Sequence, residues 1–187
     1  MNKEVYLIRH GQSEANVALD LDNPNFYYDA KLTSFGKKQA GDAQKKLKNV
    51  NFDLLLCSPL TRALQTFSLI FPNLSQEAVI LPFTREHSLC SSEVGRQPFI
   101  LEKEFPNFNF DNLKKFWWNN NMYIDEKKII FESMEDLDKR VLIFKEWIYK
   151  RSEKRIALVS HGTFISRITN YLLDNCEFEI WYPDNNL

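Results

Sequence analysis

Cysteine is scarce in this chain of 187 residues: there are three, Cys57, Cys90 and Cys176. The count is odd, the spacing is wide, and no CxxC pair occurs. That excludes a disulfide framework and a cysteine zinc site, and it points to reduced thiols in a cytoplasmic protein, each packed as a small hydrophobe. Long apolar runs are also missing. Runs such as residues 54–57 and 156–159 fall far short of the roughly 20 residues that a membrane-spanning helix needs. The opening, with Lys3 and Glu4 ahead of the first apolar run, is not that of a signal peptide. A basic surplus is absent too: 24 Lys and Arg against 25 Asp and Glu give a formal net charge of -1. Non-specific nucleic-acid binding needs a basic surface to displace counterions, so no nucleic-acid partner is expected, and no membrane partner either. Internal repeats and low-complexity linkers are lacking. The three histidines form no cluster with Cys, Asp or Glu at metal-ligand spacing, so no metal and no cofactor is expected.

What is present is a globular composition, 44% hydrophobic and 26% charged. The length suits one domain over residues 1–187, as a monomer or homodimer. Residues 5–8 are predicted as a buried strand that stops at Arg9-His10-Gly11. Residues 32–48 predict a helix, with Thr33 as N-cap and Ala40, Ala43 and Leu47 on one face. Residues 53–57 predict a second strand, ending at Ser58-Pro59, with a helix over 61–70. Residues 79–81 predict a third strand. Leu137, Val141, Phe144 and Ile148 recur at helical spacing, which predicts an amphipathic helix over 135–150. Residues 155–160 predict a fourth strand, ending at His161-Gly162, with a helix over 163–173. Strands that alternate with helices predict an α/β fold with a mostly parallel sheet between helical layers. Residues 84–128 break the rhythm. They are predicted as an insertion over the active-site edge, with some helix near 113–118 and with Trp117, Trp118, Arg85, Arg96 and Lys115 as candidates to line the pocket.

In open parallel sheets, ligands bind beyond the carboxyl ends of the strands. Three distant segments should therefore meet on one edge. Arg9-His10-Gly11 follows the first strand. An imidazole can attack phosphorus when one ring nitrogen is free and the other is held by a hydrogen bond. The arginine fork matches two phosphate oxygens, and Gly11 would let the backbone come close to the phosphate. Ser58-Pro59-Leu60-Thr61-Arg62-Ala63 follows the second strand and brings a second fork, Arg62. His161-Gly162 follows the fourth strand and offers an imidazole and turn amides to a phosphoryl oxygen.

Together, Leu7-Ile8-Arg9-His10-Gly11-Gln12-Ser13-Glu14-Ala15-Asn16, then Leu32-Thr33 with Gly36, Gln39 and Ala40, then Ser58-Pro59-Leu60-Thr61-Arg62-Ala63-Leu64-Gln65-Thr66, and finally Val159-Ser160-His161-Gly162, resemble the ordered motifs of the histidine phosphatase superfamily, the phosphoglycerate-mutase-like enzymes. The resemblance covers almost the whole chain. It implies a three-layer sandwich and metal-independent phosphoryl transfer in which His10 becomes phosphorylated. It also implies that Arg9, Arg62 and His161 hold the phosphoryl oxygens. Asn16 matches a position that contacts phosphate, and Gly162, Gln12 and Ser13 are weaker candidates.

The leaving alkoxide needs a proton, which in the family comes from a carboxylate after the third strand. Glu86 fits that place. Glu93 is the rival and reads as a structural or secondary residue, while His87 reads as a surface residue. The long substrate insertion of the cofactor-dependent mutases is missing. The chain ends soon after Trp181-Tyr182-Pro183, where relatives continue into a further strand, so that edge of the sheet is expected to be trimmed or cut short. The implied activity is hydrolysis of a small phosphorylated metabolite, of the histidine acid phosphatase type. The alternatives are mutase-type phosphoryl transfer and a non-catalytic member that binds phosphorylated ligands.

Overall fold

The computed structural model describes residues 2–20, 27–72, 77–119 and 128–183, except the side chains of residues 19 and 20. Strands β1 (Glu4–Arg9), β2 (Leu54–Cys57), β3 (Val79–Ile80), β4 (Arg155–Ser160) and β5 (Phe178–Trp181) form one sheet in the order β3-β2-β4-β1-β5. The first four run parallel, and β5 runs antiparallel beside β1. Their side chains alternate with a period of two between two separate cores. Val5, Leu7, Leu54, Leu56, Ile156 and Leu158 face one core, and Ile8, Leu55, Cys57, Ala157 and Val159 face the other. Burial on both faces explains why β2 and β4 read as continuous apolar runs.

Helices complete the two outer layers: α1 (Glu14–Asp20), α2 (Ser34–Leu47), α3 (Thr61–Ile70), α4 (Pro98–Glu104), α5 (Met134–Tyr149) and α6 (Gly162–Thr169). Thr33 caps α2 by accepting from the Gly36 amide at 3.0 Å, and Ser133 caps α5 by accepting from the Asp136 amide at 3.1 Å. α2 and α3 supply Ala40, Ala43, Leu47, Ala63, Leu64 and Phe67 to one core, while α5 and α6 supply Leu137, Val141, Phe144, Phe164 and Ile165 to the other. The result is a three-layer α/β sandwich. No described helix is long and apolar enough to cross a membrane.

Three points depart from the sequence reading. An edge strand that it did not name, Phe178–Trp181, pairs with β1, with Trp181 buried against α5 and Phe178 packed on the opposite core. Helix α6 stops at Thr169, short of residue 173, because Asn170 adopts a left-handed backbone with φ of 67° and ends the helix. The third correction concerns residues 84–128. Their first part borders the site, but Leu101, Phe105, Phe110, Leu113, Phe116, Trp117 and Trp118 are buried in the core beside α3. Among the described residues of this segment the α-helix is α4, with Pro98 at its start. The tryptophans form only a 3-10 turn, Trp117–Asn119. Apolar residues without clear periodicity were here a core-filling loop rather than a lid.

Candidate active site

The parallel register aligns Arg9 with Ser160 and Cys57 with Val159, so the residues that follow β1, β2 and β4 emerge at one edge. There they border a cavity of about 590 Å³, lined among others by Arg9, His10, Arg62, Glu86, Glu93 and Gly162.

His10 is buried, and its tautomer follows from its neighbours. Nδ1 lies 2.7 Å from the Gly11 carbonyl oxygen, which can only accept, so Nδ1 carries the proton. Nε2 lies 3.2 Å from Arg62 Nε, which can only donate, so Nε2 keeps its lone pair. Burial, then the Arg62 charge, hold the His10 pKa well below 6.5. The backbone beneath it is fixed as well. The His10 carbonyl accepts from Asn175 Nδ2 at 3.0 Å, and the His10 amide donates to Ser160 O at 3.0 Å.

Arg62 sits in the first turn of α3. Besides His10, it donates through one terminal nitrogen to the Ser92 carbonyl at 2.8 Å, and through the other to Glu93 Oε1 at 3.4 Å. The start of α3 has no side-chain cap of its own. Asp29, buried at a φ of 44°, does that task from a distance: it accepts from the Thr61 amide at 2.8 Å and pairs with Arg96 Nε at 3.1 Å. Burial raises the Asp29 pKa, and the Thr61 bonds oppose that shift.

Arg9 donates to the Leu173 carbonyl at 2.6 Å, while its Nε is buried without a partner. Burial lowers its pKa, and the nearby Glu86 charge works against that. Gly162 makes room for this guanidinium: a Cβ there would lie 3.1 Å from Arg9 Nε and 2.8 Å from Leu172 Cδ1. His161 is fully buried with its ring centre 5.1 Å from that of His10. Its Nε2 is 2.7 Å from Ser58 Oγ, and its Nδ1 has no partner. Burial and then Arg62 push its pKa well below 6.5.

Glu86 borders the cavity with both carboxylate oxygens held. Oε2 accepts from the Thr163 amide at 3.1 Å, and Oε1 accepts from the Phe164 amide at 3.2 Å and from the His87 amide at 2.8 Å. The Thr163 and Phe164 amides belong to the N-terminal turn of α6, which suits an anionic oxygen. Glu93 is differently tied. One oxygen faces Arg62 and Ser92 Oγ, and the other accepts from the Cys90 amide at 2.9 Å. Asn16 borders the cavity, and its Oδ1 accepts from the Ser13 amide at 3.0 Å.

Several candidates stand elsewhere. The Gln12 side chain turns away to accept from Thr33 Oγ1 at 2.8 Å. His161 lies behind the cavity wall rather than in it. Gly11 serves the fold rather than a phosphate, since a Cβ there would lie 2.5 Å from the Gly36 carbonyl oxygen. His87 is buried, not superficial, with Nε2 2.8 Å from the Glu132 carbonyl. Arg85 pairs with Glu132 at 3.3 Å, Arg96 pairs with Asp29 and Glu104, and Lys115 rests over the Phe116 ring. With Trp117 and Trp118 in the core, none of these five lines the cavity.

The sequence reading missed the support of the Glu86 loop. Arg140, buried on α5, binds Glu132 through Nε at 2.6 Å, and donates to the carbonyls of Phe83 at 2.8 Å, Arg85 at 3.0 Å and Glu86 at 3.3 Å. A signal existed: Arg140 interrupts the apolar stripe of Leu137, Val141 and Phe144, and a charge on a buried stripe needs a buried partner.

Residues 5–184 match the histidine phosphatase superfamily (branch 1). The chain is similar to phosphoglycerate mutase-like protein 1 of Arabidopsis thaliana, at 27% identity over 95% of this chain and 74% of that protein. It is equally similar, at 27% identity over 88% of this chain and 76% of the other, to a probable phosphatase of Schizosaccharomyces pombe. The crystal structure of the alpha-ribazole phosphatase from Shigella flexneri superposes with a TM-score of 0.62 at 25% identity, covering 95% of this chain and 89% of that one.

Proposed function

Because the chain belongs to the histidine phosphatase superfamily (branch 1), we propose that it is a metal-independent phosphomonoesterase that hydrolyses a small phosphorylated metabolite through a phosphohistidine on His10. The observation that carries this reading is the His10 tautomer, with Nδ1–H held by the Gly11 carbonyl and the Nε2 lone pair facing a guanidinium inside the cavity. An imidazole arranged in this way is a neutral nucleophile already beside the cation that will receive its target.

In the first step the Nε2 lone pair forms an N–P bond and the ester P–O bond breaks. Glu86, assigned here as the proton donor, gives a proton to the departing alkoxide. Arg9 and Arg62 take up the charge that spreads over the phosphoryl oxygens, with His161 beside His10 as a neutral imidazole. In the second step Glu86 accepts a proton from water, the water oxygen bonds to phosphorus, and the N–P bond breaks to restore His10. Substrate phosphate must displace Arg62 Nε from Nε2, which couples phosphate binding to release of the nucleophile.

Isotopically labelled water tests the reaction class. Hydrolysis in H2(18)O should place one labelled oxygen in the inorganic phosphate released from an alkyl phosphate, and added glycerate should receive no phosphoryl group. Transfer to glycerate in preference to water would make the protein a mutase. Neither reaction at any substrate would leave a phospho-ligand binder.

A further inference from the structure

The cavity is far larger than one phosphoryl group, and its two zones differ in chemistry. The floor holds Arg9, His10 and Arg62. The mouth holds Leu89, Phe131 and Leu172, which are 55%, 73% and 61% exposed. Exposed large apolar side chains grouped at the mouth of a polar site mark a surface awaiting an apolar partner. The two zones adjoin at Gly162, whose bare Cα lies between the Arg9 guanidinium and the Leu172 side chain: a Cβ there would come within 3.2 Å of both. An apolar wall therefore begins directly beside the phosphate site.

Charge sharpens the reading. Among the described residues lining the cavity, the guanidinium groups are Arg9 and Arg62, both on the floor, and the carboxylates are Glu86 and Glu93. His87, the remaining imidazole on the wall, has Nε2 turned to the Glu132 carbonyl. A phosphomonoester dianion uses both guanidinium groups. Among the described lining residues, a second anionic group on the substrate would then meet Glu86 or Glu93 and no further cation, and a like-charge encounter of that kind works against binding.

We infer that the preferred substrates are phosphomonoesters of uncharged, partly apolar alcohols, and that Leu89, Phe131 and Leu172 select them against phosphorylated acids. This rests on the phosphatase reading above. It also explains why a site of this family kind need not act on a phosphoglycerate.

The test is a homologous series: ethyl, butyl and hexyl phosphate, together with 5-carboxypentyl phosphate, which adds a carboxylate to the chain at nearly constant leaving-group basicity. We expect kcat/KM to rise with length, by up to about fourfold per methylene at full burial, equivalent to about 0.8 kcal/mol. The carboxylated ester should fall at least tenfold below hexyl phosphate. Phe131→Ser and Leu172→Ser should each cut the ethyl-to-hexyl gain at least threefold. If all esters are hydrolysed but length has no effect, or the carboxylated ester is preferred, the inference is overturned while the phosphatase reading stands. If no ester is hydrolysed, both fall.

Discussion

Removing Arg140 should unsettle the Glu86 loop in a way that can be measured twice. Arg140 is 6% exposed, and its guanidinium reaches Glu132 and three loop carbonyls while lying 5.7 Å from the Phe164 ring. Burial alone would raise the Glu132 pKa. The Arg140 bond and charge, with help from Arg85, outweigh that and leave it below its ordinary value. In Arg140→Met the carboxylate keeps the longer contacts to Arg85, at 3.3 Å, and to the Ser88 amide, at 3.5 Å, and three carbonyls lose a donor. Breaking one side of a buried pair typically costs about 3–5 kcal/mol. For a chain of this size that lowers the melting temperature by roughly 6–20 °C. At a temperature where the variant is still folded, hydrolysis of alkyl phosphates should slow roughly tenfold more than that of nitrophenyl phosphate, because only the alkoxide depends on a well-placed Glu86. Arg140→Lys should recover part of the stability but little of that ratio, since one ammonium cannot span the Glu132 carboxylate and three carbonyls. A loss below about 1 kcal/mol, or equal slowing of both substrates, would refute the idea that Arg140 positions Glu86.

Three further outcomes follow from the same geometry. Gly162→Ala would set a Cβ 3.1 Å from Arg9 Nε. Leu172 can move aside but the tethered guanidinium must shift by a few tenths of an ångström, so kcat/KM should fall roughly three- to tenfold, scaled from about 100-fold per ångström, with near-native thermal unfolding. Glu86→Gln should slow the phosphorylation step for alkyl phosphates far more than for nitrophenyl phosphate, whereas Glu93→Gln should show no leaving-group dependence. Step-resolved kinetics that give the reverse pattern would exchange their roles. His10 and His161 both have pKa values held below 6.5, so the unfolded chain binds more protons below that pH. Their contribution is fully present above pH 6.5 and is lost as pH falls, at up to about 1.4 kcal/mol per pH unit for each histidine. Denaturant unfolding of His10→Gln between pH 6.5 and 5 should lose about that much slope, and an unchanged slope would contradict the assignment.

Much of the fold was legible because its elements are locally self-consistent. β2 and β4 are apolar runs of strand length, and α2 and α5 carry both a cap and a stripe. The strand-end rule brings Arg9, His10, Arg62 and Gly162 to one cavity, with His161 just behind its wall, while Glu86 was legible only through the family resemblance. What stayed hidden is tertiary. Asp29 caps α3 across 32 positions of chain, and Asn175 holds the His10 carbonyl across 165. No local pattern encodes such pairs. Trp117 and Trp118 were misplaced for a related reason: without periodicity, the sequence does not say which wall of the molecule an aromatic fills. The edge strand β5 was also missed. Its residues alternate between two partly covered faces, so Phe178-Glu179-Ile180-Trp181 shows neither a buried run nor a clean apolar side.

The central claim is that His10 Nε2 takes the phosphoryl group. Rapid mixing with a phosphate ester carrying labelled phosphorus, quenched under alkaline conditions within one turnover, tests it directly. The account predicts a protein-bound phosphate that is stable in base, lost in mild acid, located on His10 by peptide mapping, and absent in His10→Ala together with turnover. An acid-stable phosphate on Ser13 or any other residue, or normal turnover in His10→Ala, would contradict it.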